Sequence, residues 1–179
     1  GVELAREFLR VNVELENLSR TFTAVAGSSQ ASAEEMAYVH DVAGRLGLPI
    51  LEVGKAYAGL TAATKGSAVQ GEATRAVFEA VASAMSVAGK SSAETQNALL
   101  ALSQMASKGT VSMEELRGQL GEALPGALQS VANGFGITTE QLIKLVESGK
   151  LTTEELFPAL TAGLNALYQS SGALGGQTE

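Results

Sequence analysis

Apolar residues recur along this chain at helical spacing, and no stretch alternates as a half-buried strand would. The first segment is the most regular: Leu4, Phe8, Val11, Leu15, Leu18, Phe22 and Val25 follow one another in steps of four and three. With Glu3, Arg6, Glu7, Arg10, Glu14, Glu16 and Arg20 around it, this is an a/d seam of about three heptads. So narrow a seam needs another helix against it. Either it lies on its own domain, or it is a candidate self-association seam at the end of a longer coiled coil.

Residues 1–26 are thus expected to form one amphipathic, coiled-coil-like helix. Ala26-Gly-Ser-Ser-Gln-Ala-Ser32 has linker composition and marks a boundary. Beyond it the pattern predicts helices over 33–46, 50–65, 69–88, 92–107, 113–120, 125–134, 139–148 and 153–168. Gly47, Gly66, Gly89, Gly109, Gly136 and Gly149 stand where helices should stop, and Ser32 with Glu35 and Ser91 with Glu94 have capping-box spacing. The expected class is all-α: a compact multi-helix domain of short capped helices over 27–168, after the heptad helix, with 169–179 as a flexible tail.

The densest punctuation runs from Lys108 to Leu156. A start signal, Gly-x-apolar-[Ser/Thr]-x-Glu-[Glu/Gln]-Leu, begins at Gly109 and Gly149, and in slightly altered form at Gly136. Each sets Ser112, Thr138 or Thr152 three residues before Glu115, Gln141 or Glu155, which is again the capping box. Gly109–Leu120 and Gly149–Leu160 echo one another at a period of 40 residues, with Gly118 in the first copy where the second has Pro158. Both are poor inside a helix, by about 1 and 3 kcal/mol relative to Ala, so each copy is expected to turn or kink there. Two copies fall short of a solenoid and read as a helical hairpin used twice. Pro125 suits a first helical position, and Gly126 and Ala127 would let a neighbouring helix come close or meet another protein.

Composition narrows the functional classes. The 179 residues can bury one real core, yet of the chain 45% is hydrophobic, much of it Ala, and only 4% aromatic, so closely approaching helices with small side chains are expected. A start at Gly1 without Met suggests a piece of a longer polypeptide. The net charge is −7, and residues 109–179 hold eight acidic against three basic groups; a nucleic-acid surface needs the opposite. With no Cys there is neither a disulfide nor a thiolate metal site. No apolar run reaches 18 residues: Ala76–Ala88 is too short and carries Glu79, so no membrane span is expected.

Candidate chemistry is sparse, and no cofactor is expected. Glu114, Glu115 and Glu122 could be imagined as paired carboxylates for cell-wall hydrolysis, which demands two carboxyls on one cleft. Capping explains Glu115 and the helix dipole explains Glu114 without catalysis. His40 has no second ligand at i, i+4 spacing, and Gly44-Arg-Leu-Gly47 and Gly118-Gln-Leu-Gly121 are too short to cradle phosphate. Gly136–Glu155 imitates a helix-turn-helix, but its second helix offers acids and then proline where bases require Arg or Asn. Leu99, Leu100, Leu102 and Met105, and Leu142, Ile143, Leu145 and Val146, read as core.

The block from Lys108 to Leu128 resembles the N-terminal conserved domain of phage tail tape-measure proteins. The resemblance rests on Gly109, Ser112, Glu114, Glu115, Leu116, Arg117, Gln119, Leu120, Glu122, Leu124, Pro125, Gly126 and Ala127, and extends more loosely from about Asn17 to Leu167. It implies a non-catalytic structural protein of the virion tail that lies in the tube lumen, fixes tail length, and is assembled in the bacterial cytoplasm. The implied partners are other copies of itself, tail assembly chaperones, and tail tube and tail-tip proteins. A continuous helix rises about 1.5 Å per residue, so 179 residues would span about 270 Å as a ruler. The glycine-broken stretch 27–168 is expected to fold into a compact body instead. A wall-degrading domain and a general helical interaction module are the other readings.

Overall fold

The computed structural model describes residues 1–170, an all-α body in which successive helices double back on one another. The expected tail over 169–179 lies outside the described residues apart from the end of the last helix. Helix α1 spans Val2–Ala26, α2 Ser29–Leu46, α3 Ile50–Thr64, α4 Glu72–Val87 and α5 Ser92–Lys108. A π-wound segment, Glu114–Leu120, runs into the single α-turn α6 (Gly121–Ala123), followed by α7 (Ala127–Phe135), α8 (Thr139–Glu147) and α9 (Thr153–Ser170).

The ends follow local chemistry, with corrections. Ser28, not Ser32, caps α2 by accepting the Ala31 N–H at 3.1 Å, so Ser29–Ser32 are helical rather than linker. Ser32 is buried inside α2 and donates its hydroxyl to the Ser19 carbonyl at 2.7 Å, tying α2 to α1. Reciprocal capping boxes form at Ser91–Glu94 and Thr138–Gln141, and Thr152 and Glu155 exchange the same pair of bonds. Helix α4 begins at Glu72, after turns through 67–71, later than the pattern alone places it.

One core runs through the molecule and includes Leu18 and Phe22 of α1, so it does not stop at residue 27. Phe22, Tyr57 and Phe78 are fully buried, and the ring of Tyr57 lies 5.8 and 5.0 Å from those of Phe22 and Phe78. The Tyr57 hydroxyl donates to Glu35 at 3.0 Å and accepts from Arg75 at 3.1 Å, and burial pushes its pKa upward. Arg75 also stacks 4.3 Å above the Tyr38 ring, so α2, α3 and α4 are joined by a satisfied polar network at the edge of the apolar interior.

The heptad seam is divided by this packing. Leu18 and Phe22 are consumed inside the body, Val11, Leu15 and Val25 are half-buried, and Leu4 and Phe8 stay 75% and 69% exposed. Only the amino half of α1 is therefore free to meet another helix. Small residues dominate at the other end: an added Cβ on Gly134 would stand 2.1 Å from the Ala159 carbonyl oxygen, and one on Gly163 would stand 1.9 Å from that of Ser130. Helices α7 and α9 thus cross backbone to backbone.

Candidate functional site

The motif segment starts where α5 stops. Gly109 takes φ +81 and donates its N–H to the Met105 carbonyl, turning the chain out of the helix in a left-handed conformation that costs glycine little. The next residues run extended beside the second copy of the repeat. Val111 N–H donates to the Leu151 carbonyl at 3.0 Å, and Thr153 N–H donates to the Gly109 carbonyl at 3.2 Å. The two echoing segments are thus paired antiparallel through a bridge at Thr110 and Thr152, with Val111 and Leu151 buried beneath it.

Ser112 and Glu115 form only part of the expected box. Glu115 N–H approaches the Ser112 hydroxyl at 3.4 Å, but the carboxylate turns inward. Its Oε1 accepts from Ser112 Oγ at 2.9 Å and its Oε2 from Lys108 Nζ at 2.8 Å. Glu115 is 3% exposed, so this ion pair binds the end of α5 to the start of the π-wound segment. The Glu115 carboxylate raises the Lys108 ammonium pKa, chiefly by accepting its hydrogen bond.

The first repeat departs from α geometry around Gly118, as its sequence suggests, whereas α9 continues through Pro158 to Ser170. The wider turn ends with Gly121 N–H donating to Leu116 C=O, five residues back; a Cβ at 121 would lie 3.1 Å from that oxygen. Glu115, Leu116, Leu120, Leu124 and Ala127 face inward and are buried. Glu114, Arg117, Gln119, Glu122, Pro125 and Gly126 are exposed. Pro125 is not the first residue of a helix: Gly126, at φ +95, precedes α7, which opens at Ala127.

The three acids are divided as well, with Glu115 inside against a cation and Glu114 and Glu122 in solvent. His40 is exposed, and the described residues hold no cluster of His, Asp and Glu able to hold a metal ion. No helix among them is long and apolar enough to cross a membrane. What the segment offers is a self-locked inner face and a polar outer face.

The family model described as tape measure protein matches residues 6–177. The chain belongs to the tape measure protein family. Among curated proteins it is similar to one described as a probable tape measure protein of Salmonella phage Felix O1 (isolate Felix O1-VT1), with 27% identity over 173 residues. That alignment covers 97% of this chain and 23% of the phage protein, so the chain spans about a quarter of its relative's length. No solved structure gives a significant match to it.

In this tape measure segment the exposed side of the motif forms one wall of a groove of about 480 Å³ whose other wall is α5. Leu100, expected in the core, is 53% exposed on that wall; Leu99 and Leu102 point inward, and their neighbour at 100° per residue does not. Sequence reasoning missed the groove by taking the run Ala98–Leu102 as one apolar block, although Gln96, Asn97, Ser103 and Gln104 at i±3 and i±4 mark the side of Leu100 as polar.

Proposed function

We propose that this chain is a folded, non-catalytic module of a phage tail tape measure protein, acting in tail assembly or docking rather than supplying ruler length. The observation that carries the reading is the doubling-back of its helices. The longest, α1, has 25 residues and rises about 37 Å, far short of the roughly 270 Å that a continuous helix of the whole chain would span. The body is built from residues 27–168, to which the second half of α1 is fastened by Leu18 and Phe22. The whole tape measure protein lies in the tube lumen of the tail after assembly in the host cytoplasm. Its partners are other copies, tail assembly chaperones, tube subunits and tail-tip proteins. The exposed face of the motif and the free amino half of α1 are the surfaces available for them.

In-frame deletion of residues 27–168 from the parent phage gene, with tails measured by electron microscopy, tests this. Absent or aberrant tails, with the truncated protein still present at normal level, are the expected outcome. Intact tails shorter by roughly 210 Å, at about 1.5 Å for each deleted residue, would make the segment part of the ruler and overturn the reading.

A further inference from the structure

Two surface features have no use inside the molecule. The first is a stripe on the free half of α1. Val2, Arg6, Leu9 and Val13, at i, i+4, i+7 and i+11, share one side of the helix, and the three apolar members are 67%, 62% and 55% exposed. At 100° per residue this stripe stands roughly 150° from Leu4, Phe8 and Leu15, so it is a second face rather than a widening of the seam. Arg10 pairs with Glu7 and Glu14, and Arg20 with Glu16, but Arg6 has no ion pair among the described residues.

The second feature is Gly118. A glycine inside a helical segment is less favourable than Ala by about 1 kcal/mol and is normally explained by a positive φ or a close neighbour. Gly54, Gly134 and Gly163 have such neighbours in Leu18, Ala159 and Ser130. Gly118 has neither: its φ is not positive, and a Cβ there would meet nothing within 4 Å. Gly44 is equally open, but Gly118 lines the groove, opposite exposed Leu100 and beside Glu122, which has no ion pair among the described residues. Both charged residues lining the groove, Glu94 and Glu122, are acidic.

We propose that the amino half of α1 from one copy of this chain docks in the groove between α5 and the π-wound segment of the next copy. Leu9 and Val13 cover Leu100, the helix crosses closest at the bare backbone of Gly118, and Arg6 pairs with Glu122. A second copy is the occupant because this chain carries both halves of the match, an apolar stripe with an unpaired cation and an acidic groove that exposes Leu100 beside an unpaired anion. Helix α1 is continuous and fastened on α2 and α3 by its second half, so its amino half presents itself outward. The contact is heterologous, each copy giving a helix and offering a groove, and it generates rings or open rows rather than two-fold dimers. It goes beyond the assembly role proposed above and can hold whether or not tails depend on this module.

Sedimentation of the 179-residue chain over a concentration series tests the contact, with circular dichroism as the folding control for each variant. Arg6→Glu alone and Glu122→Arg alone should each weaken association about tenfold or more through like-charge juxtaposition, and the double variant should recover most of the loss. Mixing the two single variants should also recover most of the association, since every contact between unlike variants then sets opposite charges against each other. Gly118→Leu should stay folded and fail to associate. The proposal is overturned if the wild-type chain remains monomeric, or if the charge reversals and Gly118→Leu leave association unchanged. It is equally overturned if Phe8→Glu alone abolishes association while Arg6→Glu does not, which would assign the contact to the heptad seam.

Discussion

Leu18 of α1 fills the space that a side chain at Gly54 of α3 would occupy: a Cβ at 54 would stand 2.2 Å from Leu18 Cδ2. This fit fastens the heptad helix to the body and divides it into a docked half and a free half. It predicts opposite effects for one substitution in two backgrounds. Gly54→Ala should destabilise the wild-type chain because the Leu18 side chain must move. In a Leu18→Ala background, itself about 2–3 kcal/mol less stable, the same change should stabilise by up to about 1 kcal/mol through helix propensity. A double-mutant cycle by urea denaturation reads the coupling; additive effects would mean the two residues do not touch.

The crossing of α7 and α9 predicts a ranking among glycines. Gly134→Ala and Gly163→Ala each press a methyl group against a backbone carbonyl on the partner helix, where no side-chain rotation can relieve it. Each should cost about 2–3 kcal/mol or more. Gly118→Ala, facing open space, should leave the monomer unchanged or stabilise it by up to about 1 kcal/mol. Thermal denaturation of the three variants checks the order, and equal losses at all three would contradict it.

Glu115 is a motif acid with a structural task. Removing it as Glu115→Ala deletes two hydrogen bonds to a charged group and should cost about 1–3 kcal/mol. Glu115→Leu, which replaces the buried carboxylate with an apolar group of similar size, should cost clearly less. Denaturant midpoints for the two variants decide the matter. A Leu variant as damaged as the Ala variant would show that the ion pair itself is needed.

Acid should loosen α1 before the rest. Glu14 bridges α1 to α3 through Lys55 at 2.7 Å, and this bond, with a smaller contribution from Arg10, holds its carboxyl below the ordinary carboxylate value. A carboxylate whose folded pKa is depressed stabilises above its unfolded value and loses that stabilisation as pH falls through the folded one. The protection of α1 amides, measured relative to their intrinsic exchange rate at each pH, should therefore fall from about pH 4.5 downward. Glu14→Gln should show the lower protection already at pH 7 and little further change in it on acidification. Identical pH profiles for both proteins would refute the role of the pair.

Much of the helix layout was legible because punctuation is local chemistry. The stops at Gly109 and Gly136 and the caps at Ser91, Thr138 and Thr152 need only their own neighbours. What was not legible depends on distant partners. Ser32 looked like a cap because its spacing to Glu35 is right; its hydroxyl instead reaches Ser19, 13 residues away. Pro125 had the chemistry of a first helical residue, yet the chain turns once more at Gly126 before α7 begins. Spacing placed Glu115 correctly beside Ser112 but could not say that the carboxylate would turn inward to Lys108. The seam from Leu4 to Val25 was regular throughout, and only the body decided where along it burial begins.

Small-angle X-ray scattering of the 179-residue chain, taken at a concentration where it is monomeric, tests the compact-module account most directly. A folded body of this length should have a radius of gyration of roughly 16–20 Å, the upper end allowing for the free half of α1. A value near 75 Å, the radius of gyration of a straight rod about 270 Å long, would identify the segment as extended ruler and contradict the account.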